Sequence, residues 1–242
     1  MLNYNLQKFN EDGFVVIRNF IPKKNISSIR KEIKKISKKL IQDYKPPYVH
    51  LTKDNKLNTA HHLNKIFPKS KLMKLANNKI VKSFLEKKFK KRIMMKNFEI
   101  FAKPNKTGKR IPFHQDNFYW NIQNDQAANL WIALNKVNKL NGGLVYFKGS
   151  HRLGLKKHSK SNIPGTSQEI KKKIINKINL EKITPSLNPG DCIVHHCKVV
   201  HGSNKNKSKK NRLAVAIRLV SKNAKINKKQ MNKYLSNLKN TP

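Results

Sequence analysis

Nine histidines and only twelve acidic residues stand in this chain of 242, so a His beside an acid is worth reading closely. Phe113-His114-Gln115-Asp116 falls in a stretch that reads as a strand over 111–120. In a strand, residues i and i+2 share a face, so His114 and Asp116 would present an imidazole and a carboxylate side by side. A second segment, Pro189-Gly190-Asp191-Cys192 onward to His201-Gly202-Ser203, reads as a turn leading into an apolar strand that reaches His201. His114, Asp116 and His201 together form a 2-His-1-carboxylate set, which leaves three positions open on a six-coordinate Fe(II). Those positions suit a bidentate co-substrate and dioxygen. A 2-oxo acid with a distal carboxylate calls for a guanidinium, whose planar fork matches a carboxylate as an ammonium does not. Arg occurs at only seven positions, and Arg212 opens the next strand eleven residues after His201. Arg218 is its rival: even spacing puts it on the same face, roughly 20 Å further along the strand.

Other constellations carry less. Cys192, His195, His196 and Cys197 have zinc-ligand residue types, but adjacent His residues point to opposite faces of a strand and cannot serve one metal undistorted. The two cysteines, the only ones in the chain, give no disulfide framework and favour a reducing compartment, with the cytoplasm as the expectation. His61-His62 lies in a polar stretch and reads as surface. His151, after the Gly149-Ser150 turn, reads as structural.

These residues need a scaffold. Phe14 to Ile17 predicts a short strand. Ile26, Ile29, Ile33, Ile36 and Leu40 recur at helical spacing and form one apolar stripe with Lys opposite, stopped at Pro46-Pro47. Residues 48–67 read as a polar loop, and 72–75 and 80–89 as helices. From 93 onward the pattern changes to strands at 93–103, 111–120, 128–137, 144–147, 192–200 and 213–220, separated by Gly, Pro and Asn turns. Many short strands with turns predict a sandwich or jelly roll, with the N-terminal helices packed outside it, α+β overall. The expected organisation is one domain over 1–221, with a helical third (1–92) and a β core (93–221). A Lys-rich insertion at about 155–182 interrupts that core, with a helix expected over 170–178. A basic tail, 222–242, is helical or loose.

The chain carries 54 Lys+Arg against 12 Asp+Glu, a net charge of +42, which raises nucleic acid, membrane surface or anionic substrate as partners. All but seven of those cations are Lys, spread along the whole chain beside abundant Asn and Ile. That distribution fits a compositional bias and a solvated surface. Leu, Ile, Val and Phe make up about 27% of residues, above the roughly 20% that marks disorder. No apolar run approaches the roughly 18 residues of a membrane span, and 1–12 is too polar for a secretory signal.

In the order HxD, H, R, the sequence resembles the phytanoyl-CoA dioxygenase family of Fe(II)/2-oxoglutarate oxygenases. The matching text is His114-Gln115-Asp116, Asn129 to Leu134, Asn141-Gly142-Gly143 through His151, Pro189-Gly190-Asp191, and His201-Gly202-Ser203 with Arg212. The opening Phe9 to Val16 also matches. The resemblance implies a double-stranded β-helix with buttressing helices, iron held by His114, Asp116 and His201, and Arg212 on the 5-carboxylate of 2-oxoglutarate. It implies further co-substrate contacts at Ser203, Trp131 and, by a looser match, Asn97. It implies hydroxylation of a small molecule by O2 with release of succinate and CO2. Related halogenases replace the carboxylate by Ala or Gly, and here it is present. Phe118 and Trp120 are expected to flank the pocket. Two alternatives stay open: a nucleic-acid demethylase of the same superfamily, which Arg212 and Arg218 in R-x5-R echo, and a basic binding protein with an inactive oxygenase fold. Substrate and oligomeric state are not legible.

Overall fold

The computed structural model describes residues 2–44, 46, 48–163 and 165–239. The chain opens on a helix the polar N-terminus had not suggested, α1 (Leu2–Asp12), followed by β1 (Phe14–Ile17). In α2 (Lys23–Asp43) the buried residues are Ile26, Ile29, Ile33, Ile36 and Leu40, the whole predicted stripe. The helix closes at Tyr44, whose N–H bonds to Leu40 O; of the two prolines beyond, Pro47 lies outside the described residues.

The expected loop at 48–67 is structured. It forms a hairpin, β2 (Val49–Leu51) and β3 (Leu57–Ala60), and one helical turn, α3 (Leu63–Ile66). β2 is the edge strand of its sheet, and β3 lies between it and the next strand, where it buries Asn58 and Thr59. Then come α4 (Lys71–Leu75) and α5 (Lys79–Phe89). The Ser70 and Asn78 side chains accept from their first free N–H groups, as good N-caps do.

The second half runs β4 (Ile93–Lys103), β5 (Ile111–His114), α6 (Asp116–Trp120), β6 (Ala127–Ala133) and β7 (Leu144–Phe147). The insertion holds a hairpin, β8 (Ser159–Ile163) and β9 (Thr166–Glu169), and a single turn, α7 (Lys172–Ile175), where a longer helix was expected. β10 (Lys182–Ile183), β11 (Cys192–His196), β12 (His201–Ser203), β13 (Arg212–Ser221) and α8 (Lys228–Lys239) complete the chain. Two expectations are corrected here. The strand 111–120 ends at His114 and gives way to α6. The apolar run 192–200 is two elements: it turns after His196, where Val199 N–H bonds to His196 O, and β12 begins at His201.

The strands form a seven-stranded sheet, β1-β11-β6-β13-β4-β3-β2, and a four-stranded one, β10-β7-β12-β5. Among the described residues the strand pairings in both sheets are antiparallel, giving the double-stranded β-helix, a jelly-roll relative. Strand alternation then sorts the side chains. Leu130, Ile132, Val194, Val215, Ile217, Phe98 and Ile100 share one core cluster with the apolar faces of α2 and α5. The opposite face of the same strands carries Trp131, Ala133, Ile193, Ala214 and Ala216, which pack with Leu144 and Tyr146 of the smaller sheet. Asn97, Glu99, Lys103, Asn129, His195, Arg212 and Arg218 have the parity of this inner face. The insertion covers the outside of the smaller sheet, with Ile170 and Ile175 packed on Phe147 and Val200. Among the described residues no helix is long and apolar enough to cross a membrane.

Ile33 is 1% exposed at the centre of the helix–sheet contact. Ile33→Ala removes its apolar contacts and leaves a cavity, so denaturant unfolding should show a loss of about 2–5 kcal/mol.

Candidate metal centre

His114 ends β5 and His201 begins β12, and the two are direct partners in the ladder. Their rings lie 4.3 Å apart between centroids. Each Nδ1 meets a backbone carbonyl, His114 on Pro112 O at 2.9 Å and His201 on Val199 O at 3.1 Å. A carbonyl only accepts, so each Nδ1 carries the proton and each Nε2 turns a lone pair to the same side. Asp116 is the first residue of α6, not a strand neighbour as expected, yet the chain's turn at Gln115 brings it to both rings. Its Oδ1 stands 3.6 Å from His114 Nε2 and 3.8 Å from His201 Nε2. One ligand atom from each of the three residues falls within 4.8 Å of the others, and all three residues are buried. Among the described residues this is the one cluster of His, Cys, Asp and Glu able to hold a metal ion.

The other oxygen of Asp116 is tied down. Oδ2 accepts from Asn129 Nδ2 and from His195 Nε2, both at 3.1 Å. His195 Nδ1 in turn accepts from Tyr146 Oη at 2.9 Å. This chain fixes the His195 tautomer and leaves Oδ1 as the free donor. Burial opposes ionisation of Asp116, but the surrounding imidazoles of His201, His114 and His195 outweigh it and hold the carboxyl well below its ordinary value. Burial and the neighbouring His114 and His195 press His201 well below the usual imidazole range, keeping it neutral as a ligand must be. Two nitrogens and one carboxylate oxygen on one side of a pocket suit a mononuclear Fe(II) with open positions.

Deeper on the inner face lies Arg212, 1% exposed. It donates to Phe101 O at 3.1 Å and Gly142 O at 3.3 Å, and its Nε is buried without a partner. Its guanidinium stands 5.3 Å over the Trp131 ring. Ser203 Oγ accepts from Lys103 Nζ at 2.6 Å. Arg212, Trp131 and Ser203 thus gather at one end. Asn97 is elsewhere: it opposes Arg218 on β13, donates to Glu99 Oε1 at 3.1 Å, and keeps a buried, unpartnered Oδ1.

Several residues escaped the sequence reading. His195, set aside there, stands behind Asp116; its neighbour His196 faces the other way, against Phe9 and His151, where burial pushes it down to about 3. His61 is not a surface residue: it pairs with Glu99 at 3.3 Å and packs edge-on to Phe101. Because 116–120 is helical, Tyr119, not Phe118 or Trp120, meets His114, edge to face at 5.7 Å. Phe118 stacks on His158, and Trp120 lies under Arg218 at 5.3 Å. The parity of Asn129 and His195 on apolar strands was the only signal available for them. Lys103 gave none, being one more Lys among many.

Fold and site define a jelly-roll protein with a His-Asp-His facial metal centre. The family profile for phytanoyl-CoA dioxygenase matches residues 9–214, and the chain belongs to that family. Human peroxisomal phytanoyl-CoA dioxygenase is 26% identical over 227 residues, covering 88% of this chain and 66% of that protein. Phytanoyl-CoA dioxygenase 1 of rice is 26% identical over 168 residues, covering 66% of this chain and 56% of that protein. The chain therefore spans about two thirds or less of these relatives. Among solved structures, EctD from S. alaskensis with bound Fe superposes with a TM-score of 0.75 at 15% identity, covering 90% of this chain and 76% of that one. The non-heme alpha-ketoglutarate-dependent carbocyclase SnoK from nogalamycin biosynthesis reaches 0.74 at 17% identity, covering 92% and 85%. At such identities these two speak for the fold alone.

His195→Phe removes one of the two donors that orient Asp116 while keeping an aromatic ring in place. Losing such a support weakens metal binding about 10–100-fold. Titration with Co(II), followed by its visible absorption, should show this with the fold intact by circular dichroism.

Proposed function

We propose that this protein is an Fe(II)/2-oxoglutarate-dependent dioxygenase that hydroxylates a small anionic molecule. One observation carries the reading: an N,N,O donor set and a buried guanidinium without a counter-ion share the inner face of one jelly roll. In this reading His114, Asp116 and His201 hold the iron, and Arg212 pairs with the distal carboxylate of the co-substrate. Trp131 and Ser203 wall that end. Asn97 is a contact nearer the metal. The domain runs over 1–221, and α8 of the tail closes on α6 through Tyr234, which packs edge-on to Phe118 and Tyr119.

Iron bound there would supply the activation of O2, coupling decarboxylation of 2-oxoglutarate to succinate and CO2 with conversion of a substrate C–H to C–OH. The protein's part is placement. The backbone carbonyls of Pro112 and Val199 hold the two imidazoles, and Asn129 and His195 hold the carboxylate. Arg212 sets the direction in which the co-substrate lies. The buried lining excludes water from the reacting atoms.

The anionic substrate is read from the other end of the same face. Arg218 is flanked in register by Asn97 and Asn129. Its Nε and both asparagine Oδ1 atoms are buried and unpartnered. A ligand with an anionic group and an N–H or O–H donor would satisfy all three. A cleft lined by Lys106, Lys109, Arg110 and Lys205, with no acid among its lining residues, adds attraction for an anion. Two buried cysteines and no disulfide accord with a reducing compartment, for which we take the cytoplasm; a human relative is peroxisomal.

The test is a library screen scored by Fe(II)-dependent succinate release, with small acids, their neutral amides and oligonucleotides as separate arms. Acids should stimulate release above their amides. Stimulation by oligonucleotides instead would support the demethylase alternative, and no release in any arm the inactive one. His114→Ala should abolish release. Arg212→Lys should raise the KM for 2-oxoglutarate about tenfold or more, because an ammonium cannot reproduce the fork.

A further inference from the structure

Lys103 and Arg212 are direct partners across the antiparallel β4–β13 ladder. Side chains so placed have Cβ atoms about 4.5–5.5 Å apart, and like charges there repel. Both residues are 1% exposed. Among the described residues the hydrogen-bond partners of both are neutral: Lys103 Nζ donates to Ser203 Oγ at 2.6 Å and Asn204 O at 2.5 Å, and Arg212 donates to two backbone carbonyls. Two adjacent buried cations with no counter-ion carry a desolvation penalty that an anion would offset.

The surrounding loops make room for the lysine. A Cβ on Gly142 would fall 2.9 Å from Lys103 Cδ and 3.2 Å from Nζ. One on Gly108 would fall 2.8 Å from Lys103 Cβ. Gly142 also sits at φ +81°, which glycine alone adopts freely, and its carbonyl holds Arg212. One turn thus cradles both cations.

We propose that Lys103 is the second cation of the co-substrate pocket and, beside Arg212, engages the distal carboxylate of the 2-oxo acid. This rests on the functional reading above and adds to it a residue that the sequence did not single out. Burial, then the charge of Arg212, pushes the Lys103 ammonium well below its ordinary range. Among the described residues Arg212 is the one charged group acting on it; Ser203, Asn204, Gly108 and Gly142 around it are neutral. Burial lowers the Arg212 guanidinium to about 9, so it keeps its proton below that pH. Lys103 is therefore charged at lower pH and loses its charge as pH rises through its lowered pKa, so the grip on a carboxylate should weaken in that direction.

The experiment compares 2-oxoglutarate with 2-oxopentanoate, which has the same metal-binding end and chain length but no distal carboxylate. Binding is read on the full chain loaded with Ni(II), without turnover, by the fluorescence of Trp131 beside Arg212, in a Trp120→Phe background that leaves a single tryptophan. Lys103→Met should weaken 2-oxoglutarate about tenfold or more and leave 2-oxopentanoate within about twofold. Undiminished binding of 2-oxoglutarate by a folded Lys103→Met variant overturns the assignment. Should the unsubstituted Lys103 protein not prefer 2-oxoglutarate at all, the reading of the pocket itself fails, a different result. If Lys103→Met does not fold, the Lys103 protein decides alone. Its affinity for 2-oxoglutarate must fall relative to 2-oxopentanoate between about pH 6 and about pH 8, below the range in which Arg212 titrates, and an identical pH dependence overturns the proposal.

Discussion

Along β4, β6, β11 and β13, each apolar side chain that enters the helix-covered core is followed by one on the opposite face, between the sheets. The outer set, Phe98, Ile100, Leu130, Ile132, Val194, Val215 and Ile217 among them, packs on the helices. That burial holds the larger sheet to its helices and fixes its register, because a slip of one residue would turn the whole apolar set inward. The inner set is thereby free to be polar. Asn129, His195, Lys103, Arg212 and Arg218 would each be a liability in an ordinary core, and here they occupy positions whose rotation is already decided.

Polar groups on that face are tolerated because almost all are paired, and the exceptions are concentrated at the site. Asp116 Oδ2 has two partners, Asn129 and His195, while Oδ1 faces the two ligand imidazoles. The unpartnered atoms include Arg212 Nε, Arg218 Nε and the Oδ1 atoms of Asn97 and Asn129. Buried polar atoms without partners are uncommon in folded proteins. Their grouping on the face that also carries the metal ligands is the pattern of a cavity built for something polar.

The large positive charge is a different matter. Its chemical part is a handful of inner-face cations, buried and positioned by strand register. The rest lies mostly on solvated surfaces such as the outer face of α2, where Lys alternates with the buried isoleucine stripe. Surface charge of this kind attracts anions in general without selecting one.

The HxD, the later His and the Arg were legible in the chain because their residue types are scarce there and their order is specific, and the α2 stripe because its period is strong. The alternation of β4, β6 and β13 was legible for the same reason. What was not legible depends on partners far apart in sequence. Asp116 was read as a strand neighbour of His114 and is instead the start of α6; the two meet because the chain turns at Gln115, and no local pattern marks that turn. The 48–67 hairpin was missed because its strands, three and four residues long, are too short to show a period. His195 and Tyr146 meet across two sheets, and Lys103 faces Arg212 across a ladder joining residues more than a hundred positions apart. The sequence by itself determined which groups could do chemistry, since residue type and spacing are local properties. The tertiary structure alone decided which of them share a cavity, which oxygen of Asp116 stays free, and which lysine among so many is buried, since those depend on strand pairing and on the exclusion of water.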